Sequence, residues 1–172
     1  MLDSLKRPAA RCQLRALSWI FTVAILCGVS GGCGGNAGSS PVPVREQVSG
    51  ALMDWMDAFN TGDTSKVCDL FASDLISDYQ GQPERGYAAV CNLLISSLND
   101  QTRKYHYSLN IKEILVSGRL AMVRLVWTLS VTRNGSTFSG DEPGMDVFQP
   151  QQDGSWKVIR FISYPANPDC AD

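Results

Sequence analysis

The chain has little of what metal and nucleophile chemistry needs. It carries one histidine, His106, in 172 residues, and no second anchor places that imidazole in a Ser-His-Asp or Cys-His arrangement. Its six cysteines include no CxxC pair, so with a single imidazole a zinc site is not expected. No cofactor is expected either. The apolar run near the N-terminus, residues 17–29, is about 13 residues long against the roughly 20 that a membrane span requires. No internal repeat is present, and low complexity is confined to one short Gly/Ser/Pro stretch. Positive charge is scarce once the N-terminal segment is set aside. That segment holds four of the 15 Lys+Arg and one of the 17 Asp+Glu, leaving a net charge near −5. Such a balance argues against nucleic acid as a partner, because phosphates demand a cationic surface.

What is present begins with an address. Lys6, Arg7, Arg11 and Arg15 precede the apolar run from Leu17 to Val29, and Ser30-Gly31-Gly32 lead into Cys33. A positive segment, an apolar segment, small residues and then a cysteine form the order of a bacterial export signal ending at a lipid-attachment site. Ser30 stands where a lipobox leucine would be stronger, so secretion after cleavage and a retained N-terminal anchor are the alternatives. A lipidated Cys33 would hold the protein at the outer face of the cytoplasmic membrane, in the cell envelope. Residues 34–46, with Gly34, Gly35, Gly38, Ser39, Ser40, Pro41 and Pro43, read as a flexible tether. One domain is expected over 47–165, followed by a C-terminal tail over 166–172.

Three helices are expected first. Val48, Leu52, Trp55, Met56 and Phe59 make one helical stripe, stopped by Asn60-Thr61-Gly62-Asp63. A short second helix would carry Val67, Leu70 and Phe71. A third, with Pro83 near its start, would align Tyr87, Val90, Leu94 and Leu98. Cys68 and Cys91 fall on the second and third of these, which predicts a disulfide between them in an oxidising compartment; Cys170 is left free, or is the alternative partner of either. From Tyr105 the period becomes two. Tyr105, Tyr107, Leu109 and Ile111 alternate with polar residues, and a long strand follows with Ala121, Val123, Leu125, Trp127, Leu129 and Val131 on one face. Asn134-Gly135 marks a hairpin. A third strand is expected within 137–149, interrupted near Pro143-Gly144, and Asp153-Gly154 turns into a last strand from Trp156 to Ser163. Helices followed by antiparallel strands give an α+β fold.

This order resembles the nuclear-transport-factor-2-like superfamily, with its SnoaL-like and ketosteroid-isomerase-like members. The echoes are Trp55, Ala58-Phe59-Asn60-Thr61-Gly62-Asp63 at the end of the first helix, and Gly154-Ser155-Trp156-Lys157-Val158 entering the last strand. Cys68 and Cys91 are similar to the paired helix cysteines of exported bacterial members. The resemblance implies three helices packed on a curved antiparallel sheet, forming a cone with a pocket at its open end. Members include enzymes and non-enzymes alike, so the fold does not choose the function.

The resemblance also points to a strand carboxylate as proton shuttle paired with a tyrosine. Asp146, between Met145 and Val147, is the weak catalytic candidate, with Tyr107 as its partner. Tyr107, Trp127 and Asp146 are the pocket candidates. Asp141-Glu142-Pro143-Gly144 reads as a solvated loop, and Asp74, Asp78 and Tyr79 as a loop at the rim. His106, Arg124 and Arg160 read as surface residues. The expectation is a membrane-anchored, non-catalytic domain that binds a small apolar ligand or an envelope protein. The alternative is a small isomerase or hydrolyase. A third role is docking, through Leu120, Met122 and Val126, to another copy or a transport complex.

Overall fold

The computed structural model describes residues 42–164. The predicted leader with Cys33, most of the tether, and the tail with Cys170 lie outside the described residues. Helix α1 spans Val44–Thr61, so the last residues of the predicted tether are helical. Pro43 sits just before it, and its carbonyl accepts from the amides of Glu46 and Gln47. Val48, Leu52, Trp55, Ala58 and Phe59 are buried along one face, which is the stripe expected from spacing. Gly62 ends the helix at φ 74°, a left-handed conformation that glycine adopts without Cβ strain.

The expected second helix is not formed. Residues 63–70 fold instead as successive turns, opened by Asp63, whose carboxylate accepts from the amide and hydroxyl of Ser65. Val67, Leu70 and Phe71 are nonetheless buried as expected. The segment then runs into strand β1, Phe71–Tyr79, where a loop was expected. A two-residue strand β2, Arg85–Gly86, precedes helix α2, Tyr87–Asn99. Cys68 and Cys91 are joined, with their Cα atoms 5.5 Å apart, which ties the turn segment to α2. Reduction of this bond is expected to lower stability by about 3 kcal/mol through the loop entropy returned to the unfolded chain. Urea unfolding with and without reductant measures it, and coincident curves would contradict it.

Four long strands complete the chain: β3 (Arg103–Ser117), β4 (Leu120–Arg133), β5 (Ser136–Pro150) and β6 (Trp156–Ser163). The β4–β5 hairpin turns through Asn134 and Gly135, at φ 52° and 80°, as that pair demands. Sheet order is β2-β1-β6-β5-β4-β3. The sheet is mixed rather than wholly antiparallel, because β1 runs parallel to β6. Register shifts within β3, between β5 and β6, and between β1 and β6 are the irregularities that bend a sheet. Its inner face packs on α1 and α2 around Leu52, Val67, Leu125, Phe148 and Val158.

β5 is also continuous where an interruption was expected. Pro143 pairs opposite Val126 and lies where β6 runs out, so few ladder bonds are forfeited. Its carbonyl still accepts from the Tyr164 amide, 2.9 Å away.

Candidate active site

Between the sheet and the two helices lies a cavity of about 150 Å³. It widens toward a second hollow of about 290 Å³ that shares Tyr79, Arg85, Leu93, Leu94, Tyr107 and Glu142. Strand alternation selects the floor. On β5, Glu142 and Asp146 are both buried, whereas Asp141, Pro143 and Met145 between and beside them are exposed. Glu142 is opposite Trp127 on β4, and Asp146 opposite Val123 on β4 and Phe161 on β6. Gly144 lies between the two acids. A Cβ there would sit 2.8 Å from the Ile162 carbonyl oxygen, so only glycine lets β5 and β6 approach this closely.

The two carboxylates differ in their company. Glu142 accepts hydrogen bonds from the Tyr79 hydroxyl at 2.9 Å and the Tyr107 hydroxyl at 3.3 Å. Burial raises its pKa, and those two hydrogen bonds oppose the rise. Asp146 has no hydrogen-bond or ion-pair partner among the described residues, and burial alone pushes its carboxyl up to about 7. Tyr107 is held well above the ordinary phenol range, first by burial and then by the Glu142 charge. Ser163 Oγ, also on the cavity wall, is buried and has no hydrogen-bond partner among the described residues.

Local structure fixes Tyr107 in place. β3 is an edge strand, and the Asn60 side chain closes that edge at one point. Its amide nitrogen donates to the Tyr107 carbonyl at 2.8 Å, and its oxygen accepts from the Tyr107 amide at 2.7 Å. The Asn-Thr-Gly-Asp stop of α1 thus also aims a phenol into the cavity. Trp55 completes the wall, with its indole nitrogen donating to the Val67 carbonyl at 2.9 Å. Its ring lies 5.0 Å from that of Trp127 and 5.5 Å from that of Tyr107.

Tyr107, Trp127 and Asp146, the three residues singled out from sequence, therefore all line this cavity. The expected pairing within them differs: the Tyr107 hydroxyl bonds Glu142, four positions along β5 from Asp146. Glu142 is the residue that sequence reasoning missed; Tyr79, expected on a rim loop, does line the cavity, but from strand β1 and bonded to Glu142. The Asp-Glu-Pro-Gly string reads as a turn, and tertiary pairing overrides it. The signal available was parity, since Glu142, Gly144, Asp146 and Phe148 alternate at period two. Asp74 and Asp78 are exposed on β1. His106 is exposed on the outer sheet face. Arg124 also points outward and pairs with Glu113 at 3.8 Å, while exposed Arg160 donates to the Asp74 carbonyl at 2.9 Å.

A larger hollow of about 860 Å³ runs along α1 beside Trp156. It is open to solvent and its Asp54 and Asp57 are exposed, so the cone, with its two buried carboxylates, is the better candidate.

A strongly bent sheet closed by helices, with a cavity lined from all six strands, defines a nuclear-transport-factor-2-like domain. The SnoaL-like domain family matches residues 52–159, and the chain belongs to that family. Among solved structures it is similar to a ketosteroid isomerase-like protein from Erwinia carotovora atroseptica. That match has 21% identity and a TM-score of 0.60, covering 73% of this chain and 99% of the other. An NTF2-like protein with a cystatin-like fold from Novosphingobium aromaticivorans aligns at 18% identity and TM-score 0.61, over 74% and 84% of the two chains. A nuclear transport factor 2 superfamily protein from Salmonella enterica aligns at 16% and 0.61, over 70% and 89%. At these identities the likeness speaks for the fold alone. No curated protein matches the chain.

Proposed function

We propose that this domain binds one small, largely apolar molecule in the cone, outside the cytoplasmic membrane and tethered through Cys33. The observation that carries the binding reading is the partly unfilled interior: a cavity of about 150 Å³ remains between helices and sheet. An engineered apolar cavity of about that size holds a benzene-sized molecule, and the continuous second hollow leaves room for a longer one. Ligand sites combine apolar walls with a few placed polar groups, and Glu142, Asp146 and Ser163 supply those. The leader pattern and a disulfide suited to an oxidising compartment support the location. Native mass spectrometry of the protein taken from its own membrane tests the binding role. A noncovalent small-molecule adduct is expected, and a bare chain with no affinity for any one-ring compound would reject it.

A second reading, proton transfer in an isomerase or hydrolyase, is favoured by Asp146 specifically. A carboxyl titrating near neutrality, unpartnered and facing a cavity, has the properties of a general base. Glu142 is already engaged by two phenols. On this reading Asp146→Asn lowers turnover by about 10²–10⁴-fold while the fold persists; unchanged turnover removes it.

A further inference from the structure

The interior of the cone has a charge character that its aromatic walls make specific. Two carboxylates, Glu142 and Asp146, face one apolar cavity, and among the described residues neither has an ion-pair partner. Among the described residues, Arg85 is the cation lining this cavity, and its guanidinium donates to the Gln82 side chain at the exposed mouth; Arg103 lines the adjoining hollow, where it pairs with Asp100 at 3.8 Å. Apart from Arg85 on β2, the other residues that share this cavity with Asp146 carry no positive charge, Leu125 and Trp127 on β4 among them. Others are Tyr107 from β3, Tyr79 from β1 and Ser163 from β6, while α1 and α2 contribute Trp55, Val90, Leu93 and Leu94. An anionic ligand would meet like charge in a low-dielectric enclosure. A neutral one would leave any ionised carboxylate there uncompensated. An organic cation satisfies both conditions, and aromatic rings such as Trp55, Trp127 and Tyr107 favour it further.

We infer that the ligand class of this cavity is a small organic ammonium compound, with its cationic nitrogen on Asp146 and its apolar body against Trp55 and Trp127. This rests on the cone being a ligand site, and it names what that site selects. Asp146 is the receiving group because it alone among the two acids lacks a partner; Glu142, fixed by Tyr79 and Tyr107, supplies the second negative pole. Ser163, beside Gly144 and unpartnered among the described residues, is placed to accept a hydrogen bond from one of the ammonium N–H groups. Selection would come from charge within a pocket that tolerates variation in the apolar part.

Three probes of nearly equal shape and different charge separate the outcomes: benzylamine, benzyl alcohol and benzoate, each titrated calorimetrically into the full chain at about pH 8, where alkylamines remain protonated. Benzylamine is expected to bind at least about tenfold more tightly than benzyl alcohol, a gap of about 1.4 kcal/mol, with benzoate the weakest. Asp146→Asn should erase the gap, with its fold checked by circular dichroism. The unmodified protein gives an independent readout: lowering the pH through Asp146 titration should shrink the amine preference, with amine affinity falling and alcohol affinity rising as the uncompensated charge is removed. If benzyl alcohol or benzoate binds as tightly as the amine, the ammonium inference fails while the binding role stands. If none of the three binds, both fail.

Discussion

Phe148→Ala is expected to destabilise the domain by about 3–5 kcal/mol, the loss typical of a buried aromatic truncated in a core that cannot collapse. Phe148 is the largest side chain with no solvent exposure, and it lies on β5 between Ala121 of β4 and Val158 of β6, themselves fully buried. Neither neighbour can move inward, because both are backbone-paired across the centre of the sheet. The void would open on the same strand that carries Glu142 and Asp146, so ligand affinity should fall along with stability. Urea unfolding at neutral pH measures the effect. A loss below about 1 kcal/mol would mean that the inner face at Phe148 is looser than its burial implies.

Asp146→Asn has the opposite sign above pH 7, and its effect depends on pH. Folded Asp146 keeps its proton up to about pH 7, whereas an unperturbed aspartate releases it near 3.8. Between those values the folded state binds more protons than the unfolded chain, so this group lowers stability as pH rises and the loss is complete above pH 7. The difference corresponds to about 4 kcal/mol of buried-charge penalty. Asparagine removes the charge but leaves an amide to satisfy, at about 1–3 kcal/mol. A net gain of about 1–3 kcal/mol is therefore expected above pH 7, turning into a loss of about the same size below pH 4, where the charge penalty is gone and the amide cost remains. Glu142 adds a trend of the same direction, because burial raises its pKa too. Unfolding curves of the two proteins across this pH range test the point, and a constant offset would contradict it.

Such a pattern, destabilising where it is ionised, is what a functional group in a scaffold looks like. The rest of the core is consistent with its sequence. The Val48-Leu52-Trp55-Phe59 stripe specifies α1, and the Tyr105-Tyr107-Leu109-Ile111 alternation specifies β3. Both are local, strong and periodic, which is why they are legible.

The parts that were not legible have a common cause. β1 carries Ser73, Asp74, Ser77 and Asp78, too polar and too irregular to read as a strand. It is held by parallel pairing with β6, from the far end of the chain. The short second helix fails because its residues are buried one by one in turns, with a disulfide and the Asp63–Ser65 bonds doing what helical propensity would otherwise do. Glu142 was hidden by its own neighbours: Pro143 and Gly144 make a turn signature, and only the end of β6 makes a proline tolerable there. Register decided the rest. Tyr107 meets Glu142 rather than Asp146 because Asn60 fixes β3 against α1, a contact 47 residues apart in sequence.

Asp146 is a carboxyl buried in an apolar cone, and carbon-detected NMR titration of its side chain observes that group directly. A midpoint near 7 is the result expected, and an ammonium ligand should lower it. A midpoint near 4 would place Asp146 in water, and neither its apolar enclosure nor the selectivity built on it would survive.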